Sequence, residues 1–176
     1  TKAQFDNSPF VAPKPRWHEK AKSIFKLELT GEYKGVSLAE TGLEKLRVYI
    51  NGQWHHTLKV YELLFKHSIG IAIDNGVEGI KYLSKNQLKA VGFETHEAVV
   101  PYSQRSAAGY RLLVENFTFP EKFRFFELEG IRGALPKNAN KCDIYIYLDT
   151  ESSELEKQVD EDMFLLGCTP IINLFE

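Results

Sequence analysis

Alternating apolar and polar positions predict strands in the first half of the chain. Residues 22–30, 44–50 and 68–74 show the pattern, and a fourth stretch, residues 78–84, follows the third closely. Alternation is typical of a strand with one face on the core and the other in water. The third stretch ends at Asn75-Gly76, a hairpin signal, so the fourth stretch is its predicted antiparallel partner.

Two stretches change to the helical period. Residues 56–67 follow the helical period, with one stripe of Val60, Leu63, Leu64 and His67 and with Tyr61 and Phe65 beside it. SAAGYRLLVENF, at 106–117, has its apolar residues at i, i+3, i+4 and i+7, which predicts a second amphipathic helix. That second stripe consists of Tyr110, Leu113, Val114 and Phe117.

FPEKFRFFELEGI, at residues 119–131, is rich in phenylalanine and has two alternative interpretations. Pro120 ends the preceding helix, and a strand from Phe123 onward would put Phe126 and Leu128 on one face. The alternative is an exposed aromatic surface for nucleic acid or sugar. Acids outnumber bases around the rings, which disfavours a track for a phosphate backbone. We therefore predict a packed strand whose second face meets a helix or a neighbouring subunit.

CDIYIYLD, at residues 142–149, predicts one more strand, with Tyr145 and Tyr147 on the face opposite to its isoleucines. The last stretches predict a short helix or helical turn, and then an extended segment. The fold class is therefore α+β, a mainly antiparallel, sandwich-like sheet of six to eight strands with two or three short helices packed on it. The three prolines in PFVAPKPRW make residues 1–20 an arm or linker, and residues 21–176 a single α+β domain.

Composition excludes several classes of protein. The chain has 176 residues, 43% of them hydrophobic, and a net charge of −2, which disfavours a dedicated nucleic-acid binder. No run of about 18 apolar residues predicts direct membrane insertion. The sequence lacks an initiator Met and ends while still apolar, so we expect a fragment of a longer chain. Cys142 and Cys168 are expected to be free, buried and cytoplasmic, although their spacing leaves a disulfide open.

Candidate chemistry is sparse. His55-His56 has no Cys or carboxylate at a metal-ligand spacing, and His67 is expected to pack or cap. The acidic run 160–162 fails as a calcium loop and is expected to supply a turn or cap acceptor. No nucleophile elbow, P-loop or dinucleotide fingerprint is present. We therefore predict no catalytic site, no metal site and no cofactor.

Several blocks, in order, carry a specific resemblance to a known family. They are LRVYINGQWHHTLKVYELLFKHSIGI, VGFETHEAVVPYSQRSAAGYRLLVENFTFPEKF, FPEKFRFFELEGI and VDEDMFLLGCTPIINLFE. They lie at residues 46–71, 91–131 and 159–176, and the chain resembles a middle segment of the TssF family. That family forms the large baseplate wedge subunit of bacterial type VI secretion systems.

The resemblance implies a structural function without enzymatic activity or cofactor. It implies packing against baseplate subunits, namely TssG, TssK, TssE, the VgrG hub and possibly a second TssF. The place would be cytoplasmic, at the cytoplasmic side of the membrane complex, where the baseplate primes sheath and tube assembly as in phage-tail-like contractile injection systems.

Five residues are candidate partner contacts, because aromatic and arginine side chains are the usual anchors of interfaces. They are Arg16, Trp17, Arg105, Tyr145 and Tyr147. The alternative function is a ligand- or carbohydrate-binding β-sandwich module. It requires an exposed platform of Tyr145 and Tyr147, and burial of both rings would exclude it.

Overall fold

Two antiparallel sheets and two helices make up the part of the chain that the computed structural model describes, residues 2–5, 15–32, 35–76, 79–102, 107–151 and 159–173. The strands are β1 (Lys2–Phe5), β2 (Ser23–Thr30), β3 (Lys45–Ile50), β4 (Ser68–Asp74), β5 (Ile80–Leu83), β6 (Leu88–Ala90), β7 (Phe125–Glu129), β8 (Lys141–Leu148) and β9 (Phe164–Leu165). The helices are α1 (Trp54–Glu62), which continues into a π-helical turn (Leu63–His67), and α2 (Ala108–Thr118). Short 3-10 turns lie at Arg16–Lys20, Leu38–Thr41, Lys85–Gln87, Thr95–Glu97, Pro120–Arg124 and Glu161–Met163.

The first sheet has the strand order β1-β2-β8-β4-β5, and the second has the order β6-β7-β3-β9. In the first sheet Ile146 of β8 lies opposite Phe25 on one side and Ile71 on the other. In the second sheet Val48 of β3 lies opposite Phe126 of β7. The alternating apolar residues of these strands therefore fall in register, which gives each sheet one continuous apolar face.

The core lies between these two apolar faces, so the arrangement is sandwich-like. The rings of Phe25 and Phe164, one from each sheet, have their centroids 5.0 Å apart. Val60 of α1 and Leu64 of the π-helical turn join the same core cluster. The predicted class, α+β and mainly antiparallel sheet, is confirmed, and the predicted strands at 22–30, 44–50 and 68–74 correspond to β2, β3 and β4.

A smaller apolar cluster lies on the other face of the first sheet. Trp17 lies over Gly70, where an added Cβ would overlap the indole ring. The centroid of the indole is 5.0 Å from that of Tyr147 and 5.8 Å from that of Tyr82. The predicted arm, residues 1–20, thus contacts the first sheet at both of its ends. Strand β1 pairs with β2, and the turn that carries Trp17 packs on β4 and β8.

The phenylalanine-rich stretch 119–131 is a turn followed by a strand. The prediction of a strand from Phe123 is wrong at its start, because a 3-10 turn runs from Pro120 to Arg124 and β7 begins at Phe125. Proline fits the first position of such a turn, and the turn brings Lys122 inward. From there on the prediction of a packed strand holds, with Phe126 and Leu128 buried in the core.

The last part of the chain is only partly described. Residues 152–158, in the predicted helix or helical turn, lie outside the described residues. Asp160 caps the turn Glu161–Met163, accepting a hydrogen bond from the Met163 amide, as predicted for the acidic run. Residues 168–173 have no regular secondary structure.

Candidate functional site

Helix α2 buries its charged residues and exposes its apolar stripe. Arg111 and Glu115 are 3% and 0% exposed, although they are the only charged residues of the helix. Tyr110, Leu113 and Phe117 are 64%, 54% and 78% exposed. An amphipathic stripe ordinarily faces the core, so the orientation of this helix is the reverse of the usual one.

A buried ion network holds α2 in this orientation. The Glu115 carboxylate accepts hydrogen bonds through Oε2 from Arg111 Nη1 at 2.8 Å and from Lys122 Nζ at 2.5 Å. Through Oε1 it accepts from the backbone amides of Val99 at 2.8 Å and Val100 at 3.2 Å. One carboxylate therefore connects α2 to the loop before it and to the 3-10 turn after it.

Arg111 extends the same network to the chain before the helix. Its Nη2 donates to the carbonyl oxygens of Phe93 at 2.9 Å and Glu94 at 3.2 Å. Its guanidinium carbon lies 5.6 Å from the centroid of the Tyr102 ring, within cation–π range. Charges buried together in this way stabilise the fold only while they stay paired, because desolvation of an unpaired charge is costly.

The protonation of Glu115 follows from these contacts. Burial on its own would raise the pKa of this carboxyl group. The hydrogen bonds from Lys122 and from the two backbone amides, together with the charge of Lys122, outweigh burial and hold the pKa below 4.5. Glu115 is therefore ionised at neutral pH, and the network contains a true carboxylate.

An apolar groove of about 470 Å³ runs between α1, α2 and the 3-10 turn Pro120–Arg124. Its lining comprises Trp54, Thr57, Leu58, Tyr61, Phe93, Gly109, Leu112, Leu113, Asn116, Pro120, Phe123 and Arg124. Trp54, Leu58, Phe93 and Leu113 are among the large apolar side chains exposed to solvent. The groove therefore offers a concave, mostly apolar surface with aromatic side chains from both of its sides.

Arg124 and Tyr61 bring unused hydrogen-bonding groups into this mostly apolar lining, which also includes Thr57 and Asn116. The guanidinium of Arg124 lies over the Trp54 ring, 5.0 Å from its centroid, and Nη1 donates to the Gly52 carbonyl at 3.3 Å. Arg124 Nη2 lies 3.5 Å from Glu121 Oε1, while Nε makes no hydrogen bond. The hydroxyl of Tyr61 is likewise without a hydrogen-bond partner, and burial raises the pKa of Tyr61 to about 12. The groove thus retains unused hydrogen-bonding capacity.

A second buried carboxylate lies on the outer face of the second sheet. Glu127 of β7 is buried between Lys45 at 3.0 Å and Arg47 at 2.5 Å. Burial would raise the pKa of Glu127, but hydrogen bonds from those two cations hold it below 4.5. Arg47 also lies 3.9 Å from Glu97, which links β3 to the loop in front of α2.

The candidate contact residues from the sequence do not line the groove. Arg16 is exposed on its 3-10 turn, and Trp17 is half-buried on the first sheet. Arg105 lies outside the described residues. Tyr145 and Tyr147 are 4% and 0% exposed, because the Trp17 cluster covers their side of β8. Both rings are therefore covered within this chain.

The same burial removes the platform that the carbohydrate-binding alternative requires. Stacking on a sugar needs an exposed ring face, and neither Tyr145 nor Tyr147 has one. The alternative function, as predicted from these two residues, is not supported by the structure.

Sequence reasoning missed the residues that build this site, chiefly Arg111, Glu115 and Lys122. One signal was present: α2 contains a single pair of opposite charges at i and i+4 and no others. A surface helix of eleven residues normally carries more charge on its solvated face. The scarcity of charge on α2 was the available hint that its two charged residues are paired inside the fold.

Within the described ranges the structure has no group of three or more His, Cys, Asp or Glu side chains that could hold a metal ion. His67 Nδ1 lies 2.8 Å from Asp149 Oδ1, in a local pair at the end of β8. Cys142 and Cys168 are free, as expected, although Cys168 is only half-buried, and burial raises the pKa of the Cys142 thiol to about 12. No helix in the described residues is both long and apolar enough to cross a membrane.

Comparison with known proteins gives the same family at the level of sequence. The family described as "Type VI secretion system, TssF" matches residues 1–176. A curated relative, type VI secretion system component TssF1 of Pseudomonas aeruginosa PAO1, is 30% identical over 145 residues. The match covers 80% of this chain and 23% of that protein, so the chain spans about a quarter of the relative's length.

Comparison with solved structures gives the same fold. A chain in the cryo-electron microscopy structure of the TssK-TssF-TssG baseplate subcomplex of the type VI secretion system superposes with a TM-score of 0.76. The two chains share 22% identity, and the match covers 99% of this chain and 31% of that one. At this level of identity the likeness shows a shared fold.

Proposed function

The chain belongs to the TssF family of the type VI secretion system, and we propose that it is a packing module of the baseplate wedge. Its work is to dock on other subunits and hold them in place, without catalysis. The exposed apolar face of α2 and the groove beside it are the docking surface. Like other interfaces of this kind, it combines aromatic anchors with an arginine.

The observation that carries this proposal is the reversed orientation of α2. Exposing Tyr110, Leu113 and Phe117 leaves large apolar surfaces in water, and an isolated protein gains nothing from that. A chain whose α2 face becomes covered in an assembly recovers this free energy on docking. The buried ion network provides the fixed support, because it positions the helix without using its apolar side.

The partners we propose are the baseplate subunits TssG and TssK. The fold match to a chain of the TssK-TssF-TssG subcomplex and the family membership support this choice. TssE, the VgrG hub and a second TssF copy remain further candidates. The proposed place is cytoplasmic, in a baseplate at the cytoplasmic side of the membrane complex. Of the candidate contacts from the sequence, exposed Arg16 stays a proposal for a second contact surface.

The test is co-purification of the full-length protein with TssG and TssK, with two side chains of the docking surface truncated. Leu113→Ala combined with Phe117→Ala removes apolar contact area and keeps helix-favouring residues in α2. We expect the amount of co-purified complex to fall by about tenfold or more, because truncation of a hot-spot anchor at the centre of an interface costs about 2 kcal/mol or more. The unfolding midpoint of the free protein should stay unchanged.

The matched control is Val36→Ala, which truncates an exposed apolar residue in a loop outside the groove. It should leave both assembly and stability unchanged. Normal co-purification of the double variant would contradict the proposal. A loss of complex accompanied by a lower unfolding midpoint would contradict the premise that these side chains lie outside the core.

A further inference from the structure

We propose that the groove between α1 and α2 receives an amphipathic helix of another baseplate subunit, and that this helix carries a carboxylate which pairs with Arg124. The inference rests on the proposed docking function and adds the chemistry of the occupant. It follows from the secondary structure of the groove, from its charge and from the burial of both charged residues of α2.

The spacing of the side chains that line the groove favours a helix as the occupant. The α2 wall of the groove has the i, i+3, i+4 and i+7 spacing of a helix–helix seam, with Gly109, Leu112, Leu113 and Asn116. On the facing wall Trp54 and Leu58 stand at i and i+4 of α1. A third helix laid along the groove contacts both walls at once.

An added strand fits this site less well. Addition of a strand needs an open sheet edge whose backbone groups can pair with it. The groove lining comes from α1, α2 and the 3-10 turn, with Phe93 as its single loop residue. Backbone groups within helices already pair with each other, so they offer an incoming strand no hydrogen bonds.

The charge of the groove favours an acidic side chain on that helix. Among the lining residues Arg124 is the cation and there is no carboxylate. An arginine has five N–H donors, and Arg124 uses two of them in long contacts, 3.3 Å to Gly52 and 3.5 Å to Glu121. Docking an apolar helix would desolvate this guanidinium further, so a carboxylate on the helix lowers the cost of docking.

A second copy of this chain could not supply that carboxylate from its α2. The two charged residues of α2, Arg111 and Glu115, are both buried in the ion network. Symmetric packing of α2 against α2 would bring the two apolar stripes together and leave Arg124 without a new acceptor on either side. A helix from a different subunit therefore fits better than a second copy.

The experiment has two stages and uses full-length protein in the assembled wedge. A photo-crosslinking p-benzoylphenylalanine in place of Leu113 first identifies the covering segment by mass spectrometry of the crosslinked peptide. We expect one partner segment with apolar residues at i, i+3 or i+4, and i+7, and with an Asp or Glu within a helical turn of the crosslink. The same label in place of exposed Val36 is the control for random contact.

The second stage is a charge exchange. Arg124→Glu should weaken binding by about tenfold or more, and changing the partner's carboxylate to Arg should restore it to within about threefold. Arg124→Gln, measured with the unfolding midpoint, separates loss of the pair from loss of fold. Crosslinks to a strand, to a second copy or to nothing would overturn the inference, and so would a failure of the exchange to restore binding.

The two proposals fail in different ways. Wedge assembly that ignores truncation of Leu113 and Phe117 contradicts the docking function itself. Assembly that needs those side chains, but whose crosslinks lead to a segment without helical spacing or a carboxylate, contradicts only the identity of the occupant.

Discussion

Helices α1 and α2 line the same groove, but α1 buries apolar side chains whereas α2 buries its charged ones. Helix α1 and its π-helical turn place Val60 and Leu64 in the core. Helix α2 instead buries Arg111 and Glu115 and leaves most of its apolar stripe exposed to water. The two helices have nine and eleven residues and similar amphipathic patterns. An amphipathic pattern therefore identifies a helix, while the groups packed against the helix decide which face is buried.

The physical difference lies in what fixes each helix. Apolar contact holds α1, and it tolerates small shifts because dispersion and the hydrophobic effect are not directional. A carboxylate with four hydrogen-bond donors holds α2. Charge-assisted hydrogen bonds are directional, so they set the rotation of the helix about its axis. A docking surface benefits from a support of this kind, because its anchors must stand in fixed positions.

The largest expected effect comes from removing the carboxylate of the network. Glu115→Gln leaves Arg111 and Lys122 buried without a counter-charge, which should cost about 3–5 kcal/mol of unfolding free energy. Chemical denaturation followed by circular dichroism measures it. The matched control, Glu62→Gln on α1, breaks an exposed pair with Lys66 and should leave the midpoint unchanged. Equal effects of the two substitutions would mean that the network does not hold α2.

A second comparison truncates one leucine in the π-helical turn after α1 and one leucine within α2. Leu64→Ala removes a core side chain after α1 and should cost about 2–5 kcal/mol. Leu113→Ala on α2 removes an exposed side chain and should change stability by no more than about 0.5 kcal/mol. Thermal unfolding of the two variants measures the contrast. A costly Leu113→Ala would show that the α2 stripe is packed in the free protein.

Two glycines allow a smaller test of the same region. Gly92 has φ +102°, and an added Cβ would lie 2.9 Å from the Lys122 carbonyl oxygen. Gly92→Ala should therefore destabilise the protein by about 1–3 kcal/mol. Gly109 in α2 has open space at its Cβ, so Gly109→Ala should stabilise the helix by up to about 1 kcal/mol. Opposite shifts of the two unfolding midpoints are expected, and shifts of the same sign would contradict this account.

The smallest expected effect is the pH dependence of stability, because it is absent near neutral pH and develops only in acid. Glu115 and Glu127 both have their pKa held below 4.5 in the folded chain. Each therefore contributes stability that is present above about pH 4.5 and is lost as the pH falls through the folded pKa. Unfolding midpoints between pH 7 and pH 3 should drop more steeply for the parent than for Glu127→Gln. A parallel drop would show that Glu127 does not contribute.

The strands were predictable because their signal is local. In β2, Phe25, Leu27 and Leu29 alternate with polar residues, and neighbouring strands carry the same pattern, so each segment by itself specifies its buried face. The two helices were predictable for the same reason, since their apolar spacing lies within a dozen residues.

The orientation of α2 was not predictable from such local patterns. It depends on Glu115 meeting Val99, Val100 and Lys122, contacts that sequence spacing does not specify. The start of the 119–131 stretch was misjudged for the same reason, because Lys122 is drawn inward by Glu115. The family could be identified from its sequence blocks, but those blocks do not show which surface of the chain docks on another subunit.

Oxidative footprinting of α2 tests the central claim most directly. Hydroxyl-radical labelling of Tyr110, Leu113 and Phe117 would be followed by mass spectrometry, in the free full-length protein and in the complex with TssG and TssK. We predict fast labelling in the free protein and strong protection in the complex, with labelling of exposed Val36 the same in both. Protection in the free protein, or equal labelling in both states, would contradict the account.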